Sequence, residues 1–471
     1  MSATSRRLGT TVFAVGAGLV LTAPLASAAP PPAEPSAEGL VPVPVPEVEG
    51  PLPGAAPGDP AADSIEDTYP FFATDADLDR YDYVEEEFFI SGTAHQYADG
   101  AVASEHPYET RVVVRRPERR WDSNGTALIE WQNVTAGHDL DALWSPSADH
   151  IMREGYTWVG VSAQNVGVSH LTEWSPARYG DLDVTDGGTV EDDQLSYDVF
   201  AQAAQELRSS DSALAGGIDL DQFLAIGASQ SSNRMTIYYE EILPYVEPVF
   251  DGYGFMVGSA PVNDRPEPAF QVLSETDINL PFFVLPEETD TLRRWEVAGA
   301  SHAGAGGREA REAVVARDLG EETAADCARP PFSRVPMHHV LNSAYDHLSA
   351  WAAGGTAPPA ADPIVRNAEG GAARDEDGHA LGGIRLSQVE VPIALNTGVN
   401  TGATQESAFF CTLYGSHEPY AEAELDELYR SHGSYVRQVA RTERQNVRDG
   451  YITLADSLHN RVEAARSDVG R

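Results

Sequence analysis

Three kinds of side chain needed for nucleophilic catalysis stand at comparable places along this chain. Ser229 lies at the centre of Gly227-Ala-Ser-Gln-Ser231, between an apolar run, Phe223 to Ile226, and a helical pattern that begins near Met235. A short buried strand, a tight turn with a serine at its apex and then a helix make the context of a nucleophile elbow. The residues two before and two after the apex must be small so that strand and helix can approach. Gly227 meets this in the usual way. Ser231 is a departure, because glycine is commoner there. The plain alternative for Ser229 is a cap of the following helix.

A serine hydroxyl needs a base, and the base needs a group to orient it. His302 follows the strand-like run Leu292 to Ala298, in Gly299-Ala-Ser-His302. Between serine and histidine, Pro281 to Leu285 reads as a strand that runs into Glu287, Glu288 and Asp290. In this arrangement His302 takes the Ser229 proton and later returns it to the leaving alcohol, while the acid holds the imidazole tautomer. Asp290 is the first choice for the acid because it lies a few residues past the strand. Glu288 is the second, and spacing does not separate them. For each, a solvated loop charge is the alternative. Two backbone N–H groups must meet the developing oxyanion. One is expected at Gln230, directly after the nucleophile. The other is expected at Asn133 or Val134, in the loop after a strand at Thr126 to Trp131. Asn133-Val-Thr135 also matches a glycosylation sequon, which a bacterial-looking leader argues against.

The elements that must position these groups follow in chain order. Strands are expected over Glu86 to Ile90, Tyr108 to Arg115, Tyr156 to Ser162 and Tyr253 to Gly258. Helices are expected over Asp139 to Glu154 and Ser196 to Leu207, with a long polar loop from Ala163 to Gln194. Strands alternating with helices predict an α/β fold with a mostly parallel sheet covered on both faces, whose chemistry sits at the carboxyl ends of the strands.

Composition narrows the function classes. The chain has 471 residues and a formal net charge of −42. It contains no lysine, which excludes Schiff-base chemistry and a phosphate-loop lysine. So acidic a chain repels nucleic acid and anionic membranes, and neither is expected as a partner. Residues 1–28 carry Arg6-Arg7, an apolar run from Leu8 to Leu21 and then Ala26-Ser-Ala28, the pattern of a cleaved secretory signal peptide. Export with no membrane span in the mature form is the expectation; the Arg pair leaves Sec and twin-arginine routes open. Residues 29–64, rich in Pro and Ala, are expected to be a disordered leader. Cys327 and Cys411 are the only cysteines, and in an exported chain an even pair predicts one disulfide.

Taken together, these motifs resemble a family of mostly bacterial proteins known as alpha/beta hydrolase domain-containing. The residues that carry the resemblance are Gly227 to Ser231, Glu288-Thr-Asp290 and Trp295 to His302, with Ile129 to Val134, Trp158 to Gln164, Gly382 to Arg385 and Leu413 to Ser416. It spans about residues 68–465. It implies an α/β-hydrolase fold and, by extension, an esterase-like serine hydrolase activity, and it implies little about substrate, since the fold serves many. No cofactor is expected, and the expected substrate is a small-molecule or polymeric ester. Ala228 stands where many relatives are expected to have Glu. The expected organisation is a hydrolase core at 65–302 and a C-terminal α+β extension at 303–471, packed on the core and helping to roof the pocket. Within the extension, Met337 to Ala352 predicts an amphipathic helix, Val389 to Leu395 a strand, and Ala421 to Tyr429 and Tyr435 to Asn446 two further helices. His338, His339 and His347 lack metal-ligand spacing, and Asp375-Glu-Asp377-Gly lacks the closing Glu of a calcium loop, so no metal is expected. Two rival readings remain. One is a non-catalytic binding protein on the same fold. The other is an amidase, peptidase or polyester depolymerase.

Overall fold

A computed structural model describes residues 39–98, 100–320, 326–405 and 407–471. The signal peptide expected at 1–28 lies outside them. The fold is that of an α/β-hydrolase. Its nine-stranded sheet is built from β1 (Glu47–Glu49), β2 (Tyr83–Ala98), β3 (Ala101–Pro117), β4 (Thr126–Trp131), β5 (Thr157–Val161), β6 (Gln222–Ala228), β7 (Gly252–Met256), β8 (Ala269–Ser274) and β9 (Leu292–Val297), in the order β1-β2-β3-β5-β4-β6-β7-β8-β9. From β5 to β9 the neighbours are parallel; β1, β2 and β3 add an antiparallel edge. From β4 the chain steps outward to β5 and then returns to the far side of β4 as β6. The strand order therefore reverses between β4 and β6, where a sheet of this kind opens a crevice.

Successive side chains on a strand point to opposite faces, and both faces of the parallel part of this sheet, β4 to β8, are buried. Ala127, Ile129 and Trp131 pack on one side with Phe223 and Ala225, while Leu128, Leu224 and Ile226 pack on the other. Helices cover each side. In chain order they begin with α1 (Trp144–Arg153), α2 (Asn165–Trp174), α3 (Pro176–Tyr179), α4 (Ser196–Leu207) and α5 (Gln230–Ile237). After β9 come α6 (Ala305–Glu309), α7 (Glu312–Asp318), α8 (Met337–Ala352), α9 (Ser387–Glu390), α10 (Ala408–Tyr414), α11 (Glu422–Leu428), α12 (His432–Asp449) and α13 (Leu454–Arg466). α4 supplies Val199, Phe200 and Ala203 to the first side, and α8 supplies Val340, Ala344 and Leu348 to the second.

Several expectations need correction. No strand forms over 281–285: Phe282 and Val284 are exposed, and the strand lies earlier, at Ala269–Ser274. Its apolar pattern is broken by Gln271, which is buried and donates to the carbonyls of Gly258 (2.7 Å) and Val284 (3.0 Å). The loop expected over 163–194 contains α2 and α3, whose Val168, Leu171 and Tyr179 pack against Phe71 and Phe72. The leader expected to be disordered is ordered from residue 39. Val41 exchanges backbone hydrogen bonds with Tyr245 and Glu247, and β1 joins the sheet along β2. The strand expected over 389–395 is split into α9 and a strand β10 (Ala394–Thr397), which pairs with β11 (Ser416–Pro419).

Residue 302 is not a packing boundary. α8 and Val335, Ile384, Leu386, Val389 and Ile452 share one apolar cluster with β6, β8 and β9. Cys327 and Cys411 form a disulfide with a Cα–Cα distance of 5.5 Å, tying α10 to the segment before α8. No helix among the described residues is long and apolar enough to cross a membrane.

Candidate active site

Ser229 sits between β6 and α5 with φ 57° and ψ −112°, a backbone conformation that costs free energy for a residue with a Cβ. The flanking residues explain how it is held. A Cβ on Gly227 would lie 2.6 Å from the Met235 sulfur and 3.1 Å from the backbone of Ser231. Only glycine lets α5 come this close. Ser231, the departure from the commoner pattern, is fully buried. Its hydroxyl accepts from the Ala228 N–H (2.9 Å) and donates to the Ala228 carbonyl (2.9 Å), bridging the turn from inside. A second strained residue, Val257 at φ 45°, follows β7 on the floor of the same cavity.

His302 follows β9 and faces that cavity with Ser229. Its partner is Asp277, three residues past β8, which sequence reasoning missed. Asp277 is fully buried, and its Oδ1 lies 2.6 Å from His302 Nδ1. The other oxygen, Oδ2, accepts from the Ser274 N–H (2.7 Å) and the Ser274 hydroxyl (2.8 Å). With the Nδ1 proton donated to Asp277, Nε2 is the imidazole nitrogen left to accept a proton. Asp290 and Glu288, the acids expected from the sequence, are not brought to His302. Asp290 is exposed. Glu288 accepts from the Arg294 N–H (2.8 Å) and pairs with Arg293 (3.1 Å). Both expectations rest on a strand over 281–285 that does not form. The signal for Asp277 was an acid just past Ala269–Ser274, hidden by the glutamine within that strand.

The loop after β4 comes to the elbow. Asn133 Nδ2 donates to the Ala228 carbonyl (2.8 Å), and the Val134 N–H lies 3.5 Å from Gln230 Oε1. Asn133 also lines the cavity. Gln230 opens α5, so its N–H precedes the intrahelical ladder. The loop is anchored from below by buried polar groups. Glu130 on β4 accepts from the N–H groups of Leu143 (2.9 Å) and Trp144 (3.1 Å) and from Trp158 Nε1 (2.8 Å). Burial, reinforced by Asp141, pushes its carboxyl up to about 8. Gln132 donates to Asp141 (3.0 Å), which pairs with the buried Arg115.

The cavity has a volume of about 210 Å³. One wall comes from the chain after residue 302, including Val335, Leu341, Phe410 and Leu413; Leu143 and Val257 lie among the rest of the apolar lining. Among the described residues no Asp or Glu lines it, in a chain with 73 acids. His338 lines it as well, and burial holds that imidazole down to about 3, so it stays neutral. No group of three or more His, Cys, Asp or Glu among the described residues could hold a metal ion. Asp375 accepts from the N–H groups of Asp377 (3.1 Å) and His379 (2.8 Å), which makes the acidic Asp375–Asp377 stretch a turn.

Residues 48–460 match the model of a family described as "Alpha/beta hydrolase domain". This chain belongs to that family. No curated protein matches the hydrolase. Among solved structures it is similar to "Methylesterase BT1017", at 11% identity, covering 50% of this chain and 55% of that one, with a TM-score of 0.29. It is also similar to an alpha-beta serine hydrolase homologue from Coxiella burnetii, at 14% identity, covering 45% and 92%, with a TM-score of 0.26. A third is an a/b serine hydrolase without lid from Xanthomonas campestris, at 13% identity, covering 49% and 93%, with a TM-score of 0.26. The hydrolase thus spans little more than half the length of the methylesterase.

Proposed function

We propose that this hydrolase cleaves carboxylic esters through an acyl-enzyme on Ser229, with His302 as general base and acid and Asp277 as the group that orients it. The observation that carries this reading is the His302–Asp277 hydrogen bond of 2.6 Å, made at a cavity that also contains a strained Ser229. His302 Nε2 takes the proton as Ser229 Oγ attacks the ester carbonyl, and buried Asp277 stabilises the imidazolium that forms. The N–H of Gln230 and that of Val134 or Asn133 stabilise the oxyanion. Collapse expels the alcohol, which leaves with the proton from His302. Water then repeats the sequence to release the acid.

The lining favours an acyl or alcohol group that is largely apolar and carries no positive charge, since the described wall offers aliphatic and aromatic carbon, includes Arg311 and has no carboxylate. Export is part of the same proposal, supported by the N-terminal pattern and by a disulfide suited to an oxidising compartment. The test is labelling of the folded protein with a fluorophosphonate, followed by peptide mapping and turnover of p-nitrophenyl esters against anilides. Label on Ser229 with ester turnover is expected. Turnover of anilides instead would point to an amidase or peptidase, and an unlabelled protein to a binding function.

A further inference from the structure

Three consecutive buried residues, Glu275, Thr276 and Asp277, each grip a different part of the segment that carries His302. Asp277 holds the imidazole. Thr276 Oγ1 accepts from the His302 N–H (3.2 Å) and donates to the Gly398 carbonyl (2.7 Å). The Glu275 N–H donates to the Ala300 carbonyl (3.0 Å). The Glu275 carboxylate accepts from the Gly299 N–H at Oε2 (2.8 Å) and from the Gly398 N–H at Oε1 (3.1 Å). Its charge is met by Arg374, whose Nη2 lies 2.5 Å from Oε1 and whose Nη1 donates to the Gly378 carbonyl (2.9 Å). The fit is close: a Cβ on Gly398 would lie 2.4 Å from the Thr276 nitrogen.

A carboxylate with no exposure accepts amide hydrogen bonds best when ionised, and ionisation in an apolar interior needs a counter-charge. Glu275 and Arg374 both lie outside the lining of the cavity. We propose that they form a clamp, half of it supplied by the chain after residue 302, that positions the His302 segment so that the imidazole meets both Asp277 and Ser229. This rests on the reading of Ser229, His302 and Asp277 as the catalytic groups. Arg374 pairs with Glu275, Glu275 fixes the amides of Gly299 and Gly398, and the hold on Gly299 sets the path of the backbone into His302.

The test compares the folded wild type with Arg374→Ala, Arg374→Lys and Glu275→Gln. One readout needs no substrate: the downfield proton resonance of the His302 Nδ1–H···Asp277 hydrogen bond, assigned by its loss in His302→Gln. The second is kcat and KM on p-nitrophenyl butyrate. Arg374→Ala and Glu275→Gln should weaken or abolish the resonance and lower kcat about 10²-fold with KM changed less than about twofold. Arg374→Lys should retain part of both. Added guanidinium should restore Arg374→Ala and leave Glu275→Gln unrescued. Folded variants that keep the resonance and kcat of the wild type overturn the clamp. So do losses that guanidinium does not repair and that merely follow the folded fraction in a melt. A wild type that shows the resonance but turns over no ester sinks the hydrolase reading instead, and the resonance still decides the clamp.

Discussion

The serine half and the histidine–acid half of this site are built in different ways. The serine half is local: β6, the turn and α5 lie within 16 residues, and the hydrogen bonds that lock the turn join Ala228 to Ser231, three residues away. The other half is assembled over distance. His302 meets Asp277 across 25 residues, Thr276 meets Gly398 across 122, and Glu275 meets Arg374 across 99. A local device can be recognised by its spacing. A device made of distant partners is visible only when the chain is folded.

Substitutions probe this contrast, beginning with the most damaging. Ser229→Ala removes the nucleophile and should lower kcat by about 10⁵- to 10⁶-fold while the melting temperature stays near that of the wild type. Retained turnover would move the nucleophile elsewhere. Asp277→Asn should cost about 10⁴-fold in kcat, because the amide favours the wrong imidazole tautomer. Asp290→Asn and Glu288→Gln, at exposed positions, should change kcat by less than about threefold on the same ester, a surface-scale effect. If Asp290→Asn proved as damaging as Asp277→Asn, the long-range half would have been assigned to the wrong acid.

The next test falls on the local half. Ser231→Ala leaves the Ala228 N–H and carbonyl without the bridging hydroxyl and should cost about 1–3 kcal/mol of stability, read by denaturant unfolding. Ser231→Gly, the commoner residue here, should keep the elbow's activity within about tenfold, since the close approach of strand and helix depends on Gly227.

The smallest effect concerns the support beneath the oxyanion loop. Burial raises the Glu130 carboxyl from an ordinary 4.5 to about 8, so the folded protein keeps a proton there that the unfolded chain releases. Its contribution to stability is therefore complete below about pH 4.5 and is lost as the pH rises towards 8. Glu130→Gln cannot titrate, and its melting temperature should fall less steeply than the wild type's between pH 5 and pH 8. Parallel slopes would refute the linkage.

The same contrast explains what could be read from the sequence. β4, α4 and α8 begin and end where their patterns predict, because each carries a clear period and a clear stop. The serine turn was legible for the same reason. Asp277 was not. Gln271 interrupts the apolar run of β8 and is tolerated only because two carbonyls from other segments accept its amide protons. Phe282 and Val284 supplied a false strand nearby, although both face solvent. α2 was hidden by the polar residues around it, and its partners, Phe71 and Phe72, lie about a hundred residues earlier in the chain.

The bond between Cys327 and Cys411 has one further consequence. It closes a loop of 84 residues that contains α8, Arg374 and β10. The exposed turn just past α8, at Ala353–Thr356, lies inside that loop and is the kind of place a protease nicks. A chain cut there keeps its two fragments covalently tethered, and on a denaturing gel they migrate separately only after a thiol is added.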